Sequence, residues 1–282
     1  MKSINLNFKL IIIWCIILCS YGCAPKIAPL QEITKETSLL DKIIERDTLK
    51  VGTTADFLPF TYTNPETSNY QGIDIELAKD LAKSLNVNLL IVKTSWPTLL
   101  ADLENGSYDI GMSGITINLK RQQQAFFSYP MRSSGKAAIA RTEDQEKYTT
   151  IDAINTPEVR VIFNPGGTNE TFARDNFPKA QLILNEDNLS IFQKIADGEV
   201  DVMVTDAIET LVQERIHSEL KAINPDSPFN FFEMAYLLPR DVVFQAYINQ
   251  WLNLRQKDGT YDTIFKSELE KIPYLNKTHS PR

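Results

Sequence analysis

At 282 residues the chain has room for one large or two medium domains, and 43% hydrophobic with 23% charged residues is a globular composition able to bury a core. A formal net charge of −7, with neither basic runs nor a motif of interleaved aromatics, excludes a general affinity for nucleic acid and leaves a small molecule as the expected ligand. The three cysteines, Cys15, Cys19 and Cys23, all precede the folded part, and the two histidines are His217, read in a surface helix, and His279 in the tail. Disulfides, cysteine catalysis and cysteine metal sites are therefore excluded from the mature domain, and neither a Ser-His-Asp triad nor a histidine metal site is expected.

In chain order, residues 1–23 read as an export signal, with Lys2 and Lys9 before an apolar run from Leu10 to Leu18. That run is shorter than the roughly 20 residues that span a bilayer. Gly22-Cys23 is like the end of a lipoprotein cleavage box, which would leave Cys23 lipidated and the protein anchored to the membrane; Ser20 and Tyr21 fit that box poorly, and simple cleavage is the alternative. Residues 24–46 read as a polar linker with Pro25 and Pro29, ending in a short helix, and the folded part is expected from Asp47. Strand 49–53, helix Ile75 to Leu85, strand Asn88 to Val92, helix Trp96 to Leu103 and strand Asp109 to Met112 then alternate, which predicts an α/β architecture with a mostly parallel sheet.

Further on, Val159 to Phe163 reads as a strand, Asn164-Pro165-Gly166-Gly167-Thr168-Asn169-Glu170 as a glycine turn, and Thr171 to Phe177 as a helix closed by Pro178. A helix start directs free N–H groups and a positive dipole end at one spot, a place for an anion. Glu170 is open to two readings: an acid catalyst beside a carboxylate site, or an ordinary acidic residue of a first helical turn capped by Thr168 or Asn169. The chain also repeats itself, since Leu103 to Gly114 lines up without a gap against Ile195 to Asp206. In each copy a helix ends at a glycine suited to the left-handed cap and a buried strand follows. Two copies predict two similar lobes, with Ser113-Gly114 and Thr205-Asp206 at strand ends where open α/β sheets bind ligands.

This arrangement resembles the periplasmic solute-binding proteins of the amino-acid-binding type, on Gly114-Ile115-Thr116-Ile117-Asn118-Leu119-Lys120-Arg121 together with the repeat, over about residues 47–272. The resemblance implies a type II two-lobed fold with a mixed sheet in each lobe and two hinge strands. Lobe one is expected over 47–138 and 239–275, lobe two over 139–238 and a tail over 276–282, with crossings at Ala137 to Arg141 and Tyr236 to Arg240. By the same resemblance Arg121 grips a ligand carboxylate with its planar, bidentate fork, Thr116, Gly114, Thr168 and Asn169 complete that pocket, and Asp206 meets a ligand amino group. Read without it, Arg121 is a solvated arginine and Asp206 a helix cap. Trp96, Phe57 and Phe60 lie in loops after strands, as cleft walls or core. Asp74, Glu76 and Asp80 are read as a helix start and two exposed positions rather than a metal site.

Glu170 stands where binding relatives have a small residue. The stretches Asn164 to Glu170, Thr94 to Leu99, Ala125 to Ser128, Val204 to Ala207 and Ala235 to Asp241 resemble the cyclohexadienyl dehydratase family of exported enzymes. That resemblance implies conversion of prephenate to phenylpyruvate, and of arogenate to phenylalanine, with Glu170 as general acid. No metal, cofactor or nucleophile is needed, because aromatisation drives loss of water and carbon dioxide once a proton is supplied. Lys136 and Arg132 are the candidate cations for the ring carboxylate, although Lys136-Ala137-Ala138 departs from the family's Thr-Pro after Gly-Lys. The alternative is an amino-acid receptor of an ABC importer, which has the same clamp and no need of an acid at Glu170.

Overall fold

The computed structural model describes residues 37–64 and 67–272. The expected signal, Cys23, most of the linker, His279 and the tail lie outside the described residues. The short helix before the first strand is Leu39–Glu45, opened by a capping box between Ser38 and Asp41.

Two five-stranded sheets carry the fold, and no helix among the described residues is long and apolar enough to cross a membrane. The first sheet runs in the order Asn88–Lys93, Thr48–Thr53, Ile110–Gly111, Leu237–Leu238, Phe126–Phe127, with the first three strands parallel and Leu237–Leu238 antiparallel to its neighbours. The second runs Gln181–Leu184, Arg160–Phe163, Val202–Asp206, Lys136–Arg141, Leu220–Ile223, parallel over its first three strands and antiparallel over the rest. Each sheet is therefore mixed, and the protein is α/β and two-lobed.

Periodicity explains how the layers close. The helix Ile73–Leu85 buries Ile73, Leu77, Ala78, Leu81, Ala82 and Leu85, an i, i+4, i+8 stripe that packs on Leu49 and Val51 of the first sheet. Truncating a fully buried side chain in such a stripe, such as Leu81→Ala, costs about 2–5 kcal/mol. In the second sheet Val161, Phe163, Val202 and Val204 face one core while Ile162, Met203 and Ile139 face another. Apolar residues at every position thus serve both faces of a sheet covered on both sides.

The repeat corresponds to matching local structure. Gly106 and Gly198 take left-handed φ values of 69° and 76° after the helices Leu99–Glu104 and Ile191–Ala196, and each leads toward a central strand. Several boundaries differ from the sequence expectation. The helix expected from Trp96 begins at Leu99, because the hydroxyls of Thr94 and Thr98 donate to Asp102 at 2.6 and 2.7 Å and hold the preceding residues as a loop. The strand expected over Asp109 to Met112 contracts to Ile110–Gly111, since the Asp109 side chain is drawn aside to accept from Lys50 N–H and Arg46.

The crossings also fall earlier than expected. Lys136–Arg141 lies within the second sheet and Leu237–Leu238 within the first, so the segments expected to cross, Ala137 to Arg141 and Tyr236 to Arg240, do not form the hinge pair. That pair is Arg132–Ser134 with Phe232–Met234, a separate antiparallel ladder between the sheets. Both expected segments are apolar strand patterns, and only the sheet partners distinguish an end strand of a lobe from a hinge. His217 is half-buried at the end of the helix Ala207–Ile216 and stacked on Phe192, not set in a surface helix.

Candidate active site

A cavity opens where the carboxyl ends of the central strands of both lobes meet. From lobe one it is lined by Phe57, Trp96, Gly114 and Thr116, and from lobe two by Lys136, Asn164, Gly167, Thr168, Asn169, Asn188 and Asp206. Phe57 and Trp96 meet edge-to-face with centroids 5.9 Å apart, and the Trp96 indole N–H donates to Asp56 at 3.1 Å. Phe60 is buried behind Phe57, a core residue that supports the wall rather than forming it.

The lobes touch over this cavity. Asn188 Nδ2 donates across to the Asp56 carbonyl at 3.0 Å. Gly166, with φ of 75°, lies so close to Pro97 that a Cβ there would come within 2.6 Å of its backbone. Gly114 makes a similar close approach at φ 57°, its N–H donated to Asp74 at 2.7 Å and its α-carbon against Phe57 and Phe60. Asp74 is wholly buried, and burial pushes its carboxyl up to about 7. Glu76 pairs with Lys79; Asp80, expected to be exposed, is half-buried between Trp251 and Arg255. No cluster of three or more metal-binding side chains occurs among the described residues.

The floor follows from strand register. Lys136 and Asp206 are cross-strand partners, so their side chains leave the same face of the second sheet. Lys136 Nζ donates to Asp206 Oδ1 at 2.5 Å, to Thr168 Oγ1 at 3.0 Å and to Asn169 Oδ1, and both charged residues are at most 4% exposed. Three donors meet three acceptors, the condition under which a buried ion pair offsets its desolvation. Asn169 is fixed in turn, its Nδ2 donating to Asn164 at 3.1 Å and to Thr205 at 3.0 Å, while Thr205 donates to Glu209 at 2.5 Å. Glu209 is buried, and desolvation raises its carboxyl to about 8.

The helix expected from Thr171 begins at Thr168, with Gly167 as its N-cap. Thr168, Asn169 and Glu170 are thus its first turn, whose backbone N–H groups lack intrahelical acceptors. Thr168 and Asn169 line the cavity and Glu170 does not. Glu170 accepts from the Gly166 N–H at 2.7 Å and from Arg174 at 2.8 Å, and the Gly166 N–H first, then Arg174, holds its carboxyl below the ordinary value. Arg121, read alone as solvated, is 7% exposed, and its guanidinium donates to the Thr116 carbonyl at 2.9 Å behind the cavity wall. Arg132 packs over the Phe265 ring, 4.3 Å from its centroid, and does not line the cavity.

Sequence reasoning missed Asn164 and Asn188. Both follow strands of the second sheet, Arg160–Phe163 and Gln181–Leu184, and the strand-end argument that drew attention to Asp206 covers them too. Asn188 Oδ1 is buried without a hydrogen-bond partner, the lone such side-chain atom among the described cavity-lining residues.

Against this geometry, the bacterial extracellular solute-binding proteins, family 3, match residues 49–270. A cyclohexadienyl dehydratase of Pseudomonas aeruginosa is 47% identical over 79% of this chain and 83% of its own length. The L-cystine-binding protein TcyJ of Escherichia coli is 26% identical over 81% of this chain and 85% of its own. An ancestral amino acid-binding protein, described as a precursor of cyclohexadienyl dehydratase, superposes with a TM-score of 0.77 at 33% identity, covering 82% of this chain and 99% of that one. An ancestral cyclohexadienyl dehydratase does so with a TM-score of 0.52 at 45% identity, covering 83% and 97%. The chain belongs to the bacterial extracellular solute-binding proteins, family 3.

Proposed function

We propose that the chain is an exported cyclohexadienyl dehydratase that converts prephenate to phenylpyruvate, and arogenate to phenylalanine, in the interlobe cavity. The observation that carries this reading is the 47% identity to the Pseudomonas aeruginosa dehydratase, against 26% for the cystine-binding relative. In the reaction the bond from the ring to its carboxylate breaks and releases carbon dioxide, the electron pair enters the ring, and the ring hydroxyl leaves with one added proton as water. Arg121, Thr116, Gly114 and Thr168 clamp a carboxylate, with Asn169 and Lys136 beside them. Trp96 and Phe57 wall the ring, Asp206 lies toward the keto or amino end, and Glu170 gives the proton. General acid catalysis contributes on the order of 10² to 10⁴ in rate.

Glu170 reaches that role by rotating off the Gly166 N–H and Arg174. An ionised carboxylate donates no proton, and the Gly166 N–H and Arg174 hold this carboxyl below its ordinary value, which favours the ionised form. The incoming dianion supplies the correction, because like-charge repulsion and exclusion of water both raise a carboxyl pKa. The signal-like segment 1–23 supports a periplasmic location, with Cys23 as a lipid anchor, and the activity a place in phenylalanine biosynthesis. A receptor for amino acids is the second reading, favoured by the turn of Glu170 away from the cavity and by the likeness to an ancestral binding protein. Following phenylpyruvate formation from prephenate by ultraviolet absorbance separates them: turnover supports the enzyme, and tight amino-acid binding without turnover supports the receptor.

A further inference from the structure

We infer that Asn188 is a catalytic residue, whose Oδ1 accepts a hydrogen bond from the ring hydroxyl of the substrate and holds that leaving group while Glu170 protonates it. This deepens the dehydratase reading and rests on it for the hydroxyl, which prephenate and arogenate share. Asn188 lines the cavity at 5% exposure, and its amide has one orientation, because Nδ2 donates to the Asp56 carbonyl of lobe one at 3.0 Å and a carbonyl only accepts. Oδ1 is therefore the free end of the amide, buried and without a donor. A buried acceptor left unpaired is costly, so a ligand that brings a donor to it is favoured over one that does not.

Its neighbours in the lining are already engaged. Asn164 Oδ1 accepts from Asn169, and Asn169 Oδ1, Thr168 Oγ1 and Asp206 Oδ1 all accept from Lys136. Asn188 also stands at the aromatic wall, where a ring packs: Asp56, whose carbonyl it holds, accepts from the Trp96 indole and precedes Phe57. Glu170 is tied to the same wall through Gly166, which packs on Pro97 beside Trp96. The turn that carries Asn188 is fixed from within, since the Asp187 side chain accepts from the Leu189 N–H at 3.1 Å and the Asp187 carbonyl from Ser190 Oγ at 3.0 Å. A neutral amide oxygen suits a neutral O–H and adds no charge to repel a dianion. As the ring C–O bond breaks, its electron pair leaves on the oxygen and takes the Glu170 proton. The hydroxyl keeps its own hydrogen, directed at Asn188, which neither gains nor loses a proton. The oxygen grows more positive on the way from hydroxyl to water, so its hydrogen bond to Oδ1 strengthens in the transition state, the condition for raising kcat.

The test measures kcat for prephenate and, by calorimetry, Kd for two unreactive ligands: the saturated-ring analogue of prephenate, which cannot aromatise, and its 4-deoxy counterpart. The wild type should favour the hydroxyl form by roughly tenfold, the scale of one buried acceptor left unpaired. Asn188→Ala should bind the two forms alike and lose roughly 10- to 100-fold in kcat, the scale of a hydrogen bond to a group that gains charge. A ligand without the hydroxyl loses only the interlobe bond in that variant, and this loss is common to both forms and cancels in their ratio. Asn188→Asp keeps an acceptor oxygen and loses the donor, so the preference should survive while both affinities fall, a split that a merely structural role would not give. Asn188→Leu takes the place of Asn188→Ala if that variant does not fold. Equal or absent binding of the two forms by the wild type, a preference that survives in Asn188→Ala, or an unchanged kcat overturns the inference. Wild-type preference for the hydroxyl form without any turnover of prephenate sinks the dehydratase reading and the catalytic role with it, whereas turnover that Asn188→Ala retains in full sinks the inference and leaves that reading intact.

Discussion

Glu209→Gln should remove a pH-dependent loss of stability that the wild-type chain suffers between mildly acidic and mildly basic solution. Glu209 is 1% exposed and accepts from Thr205 Oγ1 at 2.5 Å. Desolvation first, then the charges of Asp206 and Asp56, raise its carboxyl from 4.5 to about 8, against the pull of the Thr205 hydrogen bond and Lys136. Over that interval the folded chain keeps a proton that the unfolded chain has released, so stability falls as pH rises. The contribution is complete below about pH 4.5 and gone above about pH 8. The span from 4.5 to about 8, at about 1.4 kcal/mol per pH unit, sets a ceiling of roughly 5 kcal/mol. Glutamine keeps the acceptor for Thr205 and carries no titrating proton. Urea unfolding at pH 5 and pH 8 should therefore show the wild type losing about 2–4 kcal/mol more than the variant. Asp74, raised to about 7, contributes with the same sign in both proteins and cancels in the comparison. Equal losses in the two proteins would refute the argument and mean that water reaches Glu209.

Closure and the clamp give three more expectations. Gly166→Ala adds a Cβ within 2.6 Å of Pro97 at a φ of 75°, where a left-handed L residue costs roughly 1–2 kcal/mol before any clash; KM should rise about tenfold or more, and scattering of the ligand-saturated variant should show a larger radius of gyration than wild type. Asn188→Ala removes one hydrogen bond between the lobes and should weaken ligand binding by about 3- to 10-fold in calorimetry, with the melting temperature of the free protein little changed. Arg121→Lys keeps the charge and loses the bidentate fork, so binding of phenylpyruvate should weaken by roughly 100-fold, and unaltered affinity would remove Arg121 from the clamp.

Much of the fold was legible because its signals are local. The glycines Gly106 and Gly198 and the buried runs after them exposed the repeat, and the helix expected over Ile75 to Leu85 is present on the first sheet, starting two residues earlier at Ile73. The hinge was not legible, because Lys136–Arg141 and Arg132–Ser134 differ in the strands they pair with and not in pattern. Within the site, Phe57, Trp96, Gly114, Thr116, Thr168, Asn169 and Asp206 line one cavity; strand ends drew attention to Gly114 and Asp206, and the family resemblance to Thr116, Thr168 and Asn169. The Lys136–Asp206 pair depends on register between distant strands, and no spacing in the sequence carries it. The Glu170 rotamer likewise follows from competition between the cavity and the Gly166 N–H, a contest that sequence alone does not score.

The most direct test of the account is the rate of phenylpyruvate formation from prephenate by wild-type protein and by Glu170→Gln, which keeps the shape of the side chain and removes its proton. The account predicts turnover in the wild type and a fall in kcat of at least about 100-fold in the variant, with the fold and ligand affinity preserved. Wild-type turnover that survives in Glu170→Gln would contradict it, and would leave Glu170 as the carboxylate that closes a glycine turn.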